Sequence, residues 1–421
     1  MRDTEAGVGH LSVGIMETAT ERAAISSDTS LYDGIKVVHV VPSFFPATQF
    51  GGPIISVYEL CNHLAKNAGV RLRVLTTDTA GHRSGERLSI SERKEAKYEG
   101  YPVHFSRKLV GTAIAPTIWT KIWAAVGWAD VVHLTGVYSF PTLPTLFAAR
   151  VLRKPLVWSP RGALKEWART QNKLPKTVWR KICRTALLPS QTLLHVTSSE
   201  EEAEAKGRMS GVRCVLIPNG VEIPQLTGVR DWIPNGELRL LYLGRLDPIK
   251  GLENLIQALR HLKHPQFSLK IYGGGDDRYV RSLESLATKC GVRDKIALLG
   301  PAAENVKRTA FLSSDICVVP SHSENFGMVV AEALAHGTPV VASTGTPWQM
   351  IEDANVGRWV ANDPESLATA IDSVRRGDLV AMSERARAMM KSSFAWPSVA
   401  ARMLDTYKAL RSSASKRTYT G

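Results

Sequence analysis

With 421 residues, 44% hydrophobic and 22% charged, the chain has room for two ordinary globular domains and is too apolar to be a disordered or low-complexity chain. Its five cysteines (Cys61, Cys183, Cys214, Cys290 and Cys317) are odd in number, scattered and never C-x-x-C, which argues against a disulfide framework or zinc site. No apolar run nears the ~18 residues of a spanning helix and no basic-then-apolar leader opens the chain, so a cytoplasmic protein is expected. The net charge of +14 favours nucleotides or an acidic membrane surface as partners. Nucleic acid is not expected, because no aromatic-plus-basic readout motif accompanies the charge.

Residues 1–33, rich in Gly, Ser, Thr, Ala and charge without a sustained period, read as a mobile extension. The run 35–41 (IKVVHVV) is the first strand. It ends in PSFFPATQFGGP, where Gly51 and Gly52 lead into a helix over 54–68. Strand, glycine pair and helix make a place where a phosphate can approach backbone that lacks a Cβ. A plain turn is the other reading. The spacing is not G-x-G-x-x-G, so a nicotinamide dinucleotide is not expected. Further strands are expected at 71–76, 101–105, 129–134, 154–159, 193–197 and 214–217, with a charged loop over 81–100. Strands alternating with helices predict a doubly wound parallel sheet.

The strand at 154–159 ends in Pro160-Arg161-Gly162. Over 165–191, Lys176, Arg180, Lys181 and Arg184 mix with Val178, Trp179 and Ile182 at helical spacing. This predicts a helix lying on an anionic membrane surface through 165–184, with Trp179 inserted at the interface. The alternative is an ordinary helix with a solvated basic face.

Pro218-Asn219-Gly220-Val221 opens a Pro/Gly-rich linker reaching Gly236. It separates a first domain over 34–218 from a second over 219–395. Strands are expected in the second at 239–243, 268–272, 296–299, 316–319 and 339–342, and a last helix covers 396–415. Three stretches carry candidate chemistry. In LGRLDPIKG, Gly244 precedes Arg245 and Lys250, five residues apart across a turn, and two such cations can grip a diphosphate. In YGGGD, Gly273 and Gly274 let a base or ribose come close, or simply make a tight turn. In ICVVPSHSENFGMVVAEALAHGTPVVAS, a strand, a polar loop and a helix stopped at Gly337 place Glu324 in the loop and Glu332 inside the helix. An anion at the free N–H groups of that helix would have one carboxylate near each end.

This last stretch resembles the E-x7-E signature of the retaining GT-B glycosyltransferases of family 4, through both glutamates, Asn325-Phe326-Gly327 and G-T-P-V-V. The G-R…K-G pattern is a second match, and the Gly51-Gly52 loop resembles the family's first glycine loop. The resemblance covers about residues 35–411. It implies two Rossmann-like domains facing across a cleft, with the final helix crossing back to the first. It implies a retaining transferase that moves a hexose-type sugar from a nucleotide diphosphate sugar. The acceptor would be a saccharide or lipid-linked molecule of cell-surface polysaccharide or lipopolysaccharide assembly, at the inner membrane face. It also implies that Glu324 meets the sugar and Glu332 the ribose, that Arg245 and Lys250 hold the diphosphate, and that Gly244, Gly273, Gly274 and the 325–327 turn line the donor site.

No D-x-D occurs, so no metal or other cofactor is expected. Arg161 stands where family members commonly carry a His. It cannot act as a base at neutral pH, and would hold an acceptor anion or the transferred sugar. Other readings are a nucleotide-sugar-binding protein without catalysis, and an epimerase or glycogen-type synthase on the same fold. Donor, acceptor, linkage and oligomeric state stay open at this point.

Overall fold

Two parallel sheets organise the chain, one on each side of residues 217–237. The computed structural model describes residues 34–81, 86–89, 96–98, 100–109, 114–164, 173–225 and 230–418. The extension expected over 1–33 lies outside them.

The first sheet contains β1 (Ile35–Val40), β2 (Val70–Thr77), β3 (Ala96–Tyr98), β4 (Tyr101–Ser106), β5 (Val131–Thr135), β6 (Leu156–Ser159), β7 (Thr192–Val196) and β8 (Arg213–Leu216). Their order is β3-β4-β2-β1-β5-β6-β7-β8. Only β3 and β4 pair antiparallel. Its helices are α1 (Gly52–Ala65), α2 (Thr117–Trp128), α3 (Thr142–Val151), α4 (Lys173–Ala186) and α5 (Ser199–Arg208). On one face, α1 packs Val57, Leu60 and Leu64 against Val37, Val131 and Val157. On the other, Ile118, Ile122, Leu146, Cys183 and Ala205 from α2 to α5 meet Val38, Val132 and Trp158. Strands buried on both faces explain the continuous apolar runs in the sequence.

The second sheet contains β9 (Leu238–Leu243), β10 (Phe267–Tyr272), β11 (Ile296–Leu298), β12 (Ile316–Val319), β13 (Val340–Ser343) and β14 (Gly357–Val360), in the order β11-β10-β9-β12-β13-β14. Its helices are α6 (Leu252–Ala258), α7 (Asp277–Lys289), α8 (Glu304–Leu312), α9 (Met328–Ala335), α10 (Met350–Asp353), α11 (Pro364–Arg375) and α12 (Leu379–Ser393). Strand order reverses between β9 and β12, and the carboxyl ends of two such strands bound a crevice in which ligands bind.

The last helix, α13 (Trp396–Thr418), returns to the first sheet. Trp396, Val399, Met403, Leu404, Tyr407 and Leu410 are buried against the α1 side. The two passages of chain between the sheets run side by side, with Val221 N–H donating to the Phe394 carbonyl at 2.8 Å. Under α13 the first sheet carries three buried histidines. His39 stacks on His133 with ring centroids 4.1 Å apart. His133 Nδ1 meets the Tyr407 hydroxyl at 2.5 Å and its Nε2 meets Ser159 Oγ at 2.6 Å. Ser159 Oγ also meets His195 Nδ1 at 2.7 Å, and His195 Nε2 donates to the Ile217 carbonyl. Burial first, and then the nearby Arg161 guanidinium, push His39 and His195 down to about 3. His133 is lowered too, by burial and then by the neighbouring His39, His195 and Arg161. All three are therefore neutral at pH 7.

Two strands went unread in the sequence. β3 lies within the stretch expected to be loop; it has only three residues and is held by pairing with β4 at the sheet edge. β14, GRWV, begins with a glycine and an arginine that hide it. Gly357 is required there because a Cβ would sit 2.0 Å from the Val340 carbonyl oxygen. The first helix ends at Ala65 rather than 68.

The placement of Trp179 is corrected. Its indole N–H donates to the Val137 carbonyl at 2.7 Å, and the ring packs on the core of the first sheet. Trp179, Cys183 and Leu187, four residues apart, form the inward row of this segment. Val178, Lys181 and Ile182 are left outside. Residues 165–172, also part of the expected surface helix, lie outside the described residues.

Candidate functional site

The crevice between β9 and β12 is built by loops that interlock through their glycines. After β9, Gly244 N–H donates to Tyr272 O at 3.0 Å and Leu246 N–H to Gly274 O at 2.8 Å. A Cβ on Gly273 would lie 1.8 Å from Gly244 O, so only glycine lets the β9 and β10 loops meet. The chain then forms a single turn, Pro248–Lys250, capped by Asp247, whose Oδ1 accepts from Ile249 N–H. Gly251 follows at φ 64°, with no room for a Cβ beside Pro320 O. His322 N–H donates to Ile249 O at 2.8 Å. These contacts press the Lys250 turn onto the loop after β12.

Lys250 Nζ consequently sits 2.5 Å from Glu324 Oε1, with both side chains mostly shielded from water. Ser321 Oγ donates to the same oxygen at 2.9 Å, and Glu324 N–H donates to Gly345 O. Two donors thus aim one carboxylate into the crevice. Arg245 is exposed at its rim. Gly327, at φ 80°, then opens α9. Phe326 is buried against Trp348 and Phe394, with centroids 5.2 and 6.2 Å away. Its side chain supports the loop from behind, which leaves any donor contact at this position to the backbone.

Glu332 lies on the second turn of α9 with Lys307 of α8 at 2.6 Å. Burial raises the Glu332 carboxyl above its usual value, and Lys307 only partly offsets this. Burial would lower Lys307, but Glu332 and then Glu304 outweigh it and raise the ammonium. The pair is thus a shielded carboxylate that needs its lysine to stay ionised.

The first sheet faces these loops directly. Ser56 Oγ of α1 approaches Met328 Sδ at 3.8 Å, and a Cβ on Gly52 would lie 3.4 Å from Met328 Cγ. The Gly51-Gly52 loop therefore stands opposite the start of α9. At the end of β6, Gly162 N–H donates to Glu201 Oε1 at 2.6 Å. Glu201 Oε2 accepts from Thr197 N–H and hydroxyl, and Asn325 Nδ2 spans the gap to Thr197 Oγ1 at 3.0 Å and to Glu201 Oε2 at 3.3 Å. Arg161, at φ 54°, turns its guanidinium inward to donate to Asn219 Oδ1. Arg161 Nε and Asn325 Oδ1 are buried without a hydrogen-bond partner among the described residues, and so retain bonding capacity for a bound molecule.

Chemically, this crevice offers a carboxylate with a cation on it, a second cation at the rim, a helix start and a second carboxylate farther along that helix. The sequence model for Glycosyl transferases group 1 matches residues 231–392, and that for Glycosyltransferase Family 4 matches residues 50–224. The D-inositol 3-phosphate glycosyltransferase of Xylanimonas cellulosilytica is 30% identical over 403 residues, covering 88% of this chain and 94% of that protein. The chain belongs to glycosyltransferase family 4. Its fold is GT-B, shared with sucrose-phosphate synthase from Thermosynechococcus elongatus (TM-score 0.68, 22% identity, 89% of this chain and 99% of that one). HepE from Anabaena, solved with UDP and glucose, matches at TM-score 0.66 and 18% identity over 89% of this chain and 100% of its own.

In this family 4 glycosyltransferase the structure brings Lys250, Glu324 and the glycine-rich loops into one crevice, with Gly51, Gly52 and the Arg161-Gly162 turn across from them. Sequence reasoning missed Ser321, Lys307, Thr197, Glu201 and Asn219. Ser321 was accessible in principle, three residues before Glu324 on the same loop. Lys307 was not: it lies 25 residues before its partner, on a helix whose charges look solvated. One expected outcome follows for this pair. Should Glu332 hold a nucleotide, Lys307→Met would make nucleoside diphosphate affinity fall as pH drops from 8 toward 5, while the wild type holds its affinity to lower pH. The reason is that a raised carboxyl pKa, raised further without the lysine, brings protonation of Glu332 closer to neutrality. Calorimetric titrations across that range check it, and parallel profiles would refute it.

Proposed function

We propose that this glycosyltransferase moves a hexose-type sugar from a nucleotide diphosphate sugar to a saccharide or lipid-linked acceptor of cell-surface polysaccharide or lipopolysaccharide assembly, with retention at the anomeric carbon. The observation that carries the reading is Lys250 on Glu324 at 2.5 Å beside the start of α9. Lys250, Arg245 and the free N–H groups of α9 suit the two phosphates, whose charge grows as the sugar departs. Glu324 then faces the transferred sugar and Glu332, with Lys307, the ribose hydroxyls. The bond from the anomeric carbon to phosphate oxygen breaks, the acceptor oxygen bonds on the same face, and its proton passes to the departing phosphate. No protein base is needed, which fits Arg161 at a position where family members carry a His. HepE, solved with UDP and glucose, supports the donor class.

With cations already on the diphosphate, the reaction is metal-independent in this reading. Activity should survive EDTA, and loss that Mg²⁺ or Mn²⁺ restores would overturn that part. The donor is identified by thermal shift with UDP-, GDP- and ADP-sugars, since bound ligand raises Tm by mass action. The anomeric configuration of the product decides retention. Stabilisation by a donor without transfer to any acceptor or to water would favour a binding protein instead.

A further inference from the structure

We propose that the outward faces of α2, α3 and α4 form one docking surface for an anionic lipid bilayer. The three helices cover the same face of the first sheet. α2 meets α3 where Trp123 packs edge-on against Phe147, with centroids 5.9 Å apart. α3 is tied to the end of α4 by Arg150, which donates to Thr185 O and Leu187 O. Their solvent sides carry large apolar groups: Trp119 is 43% exposed, Phe147 47%, Val151 52%, Val178 51% and Ile182 45%. None of the three helices contains an Asp or Glu. Arg153, Lys181 and Arg184 stand exposed among or beside the apolar groups.

Charge decides between occupants. Residues 101–199 hold 14 of the chain's 53 Lys and Arg but only two of its 39 Asp and Glu, Asp130 and Glu166. This segment therefore accounts for +12 of the net +14. Within it Lys108 is buried elsewhere and Arg161 turns inward to Asn219, while Arg153, Lys181 and Arg184 are exposed at this face. A second copy of the same face would be repelled. Nucleic acid would reward the cations but not exposed Phe, Val and Ile. A bilayer with anionic headgroups rewards both, with the apolar groups at the acyl boundary and the cations among phosphates. No helix among the described residues is long and apolar enough to cross a membrane. The occupied surface is in-plane, and its anchors are Phe147, Val151, Val178 and Ile182 rather than Trp179. The inference does not depend on the reading of the crevice.

The test is co-sedimentation of the full chain with phosphatidylcholine vesicles, with and without phosphatidylglycerol. The expected result is binding to the anionic vesicles, at least tenfold weaker binding to neutral ones, and release at ~0.5 M salt. Lys181→Gln with Arg184→Gln, and separately Phe147→Ser with Val178→Ser, should each weaken anionic binding tenfold while Tm and the far-UV circular dichroism stay near wild type. Quenching of tryptophan emission by brominated lipid should diminish in Trp119→Phe, a variant that keeps an apolar ring and tests insertion without risking the fold. Equal retention on neutral and anionic vesicles would overturn the proposal. So would unchanged binding by folded forms of both double variants, or a dimer that the Phe147→Ser, Val178→Ser variant dissociates.

Discussion

Lys250→Met is expected to lower kcat by roughly 10²–10³, the cost typical of removing one preorganised group that meets developing charge in a shielded site. The lysine has two jobs in this geometry. It neutralises Glu324 at 2.5 Å in the structure described here, and it is the shielded cation nearest the place proposed for the diphosphate. Its loss removes the cation from Glu324, to which Ser321 still donates, so more of the carboxylate's charge would face the two phosphates proposed there. KM for the donor should rise as well. Glu324→Ala should separate the two roles, lowering turnover far more than affinity for free nucleoside diphosphate. Steady-state kinetics with calorimetric binding checks both, and a Glu324→Ala enzyme with ordinary turnover would remove that residue from the reaction.

The second large effect is on stability in acid. Three imidazoles under α13 are neutral in the folded protein, with His39 and His195 lowered to about 3 and His133 also lowered. Unfolded, each takes up a proton below about 6.5. The unfolded state therefore binds more protons below that pH, and stability present above it is lost as pH falls from 6.5 toward 3. His39 and His195 each cost about 1.4 kcal/mol per pH unit in that window. His39 and His195 together approach roughly 4 kcal/mol at pH 5, and His133 adds in the same direction; this is comparable with the ~5–15 kcal/mol that holds a typical protein folded. Tm should hold steady from pH 8 to 7 and then drop steeply, with cooperative unfolding near pH 5. His39→Asn should make the fall shallower. A Tm constant between pH 7.5 and 5 would refute the account.

The crevice of the second sheet was more legible than the half that faces it, for a physical reason. The crevice of the second sheet is made of short loops in which Gly244, Lys250, Glu324 and Gly327 are near neighbours in sequence, and loop chemistry of that kind is local. What holds those residues is not local. Asn325 reaches Glu201 across 124 residues, and Lys307 reaches Glu332 from another helix. Neither contact leaves a periodicity or spacing to read. The strands were recoverable because a parallel sheet buried on both faces forces apolar runs, and β3 and β14 escaped because edge pairing and a close glycine need no such run. Trp179 was misplaced because helical spacing tells which residues share a face but not which face turns inward.

The route of α13 has a consequence for how the protein is made. On the α1 side of the first sheet, α13 adds Trp396, Met403, Tyr407 and their neighbours to the cover that α1 begins. A ribosome works from the amino end at ~5–20 residues per second, so β8 emerges roughly 10–40 s before α13 begins. Throughout that interval the part of this face that α13 covers, including His133 beneath Tyr407, lacks its cover on the nascent chain. The half synthesised first is completed last, and a truncation anywhere before residue 396 damages the domain at the opposite end of the sequence.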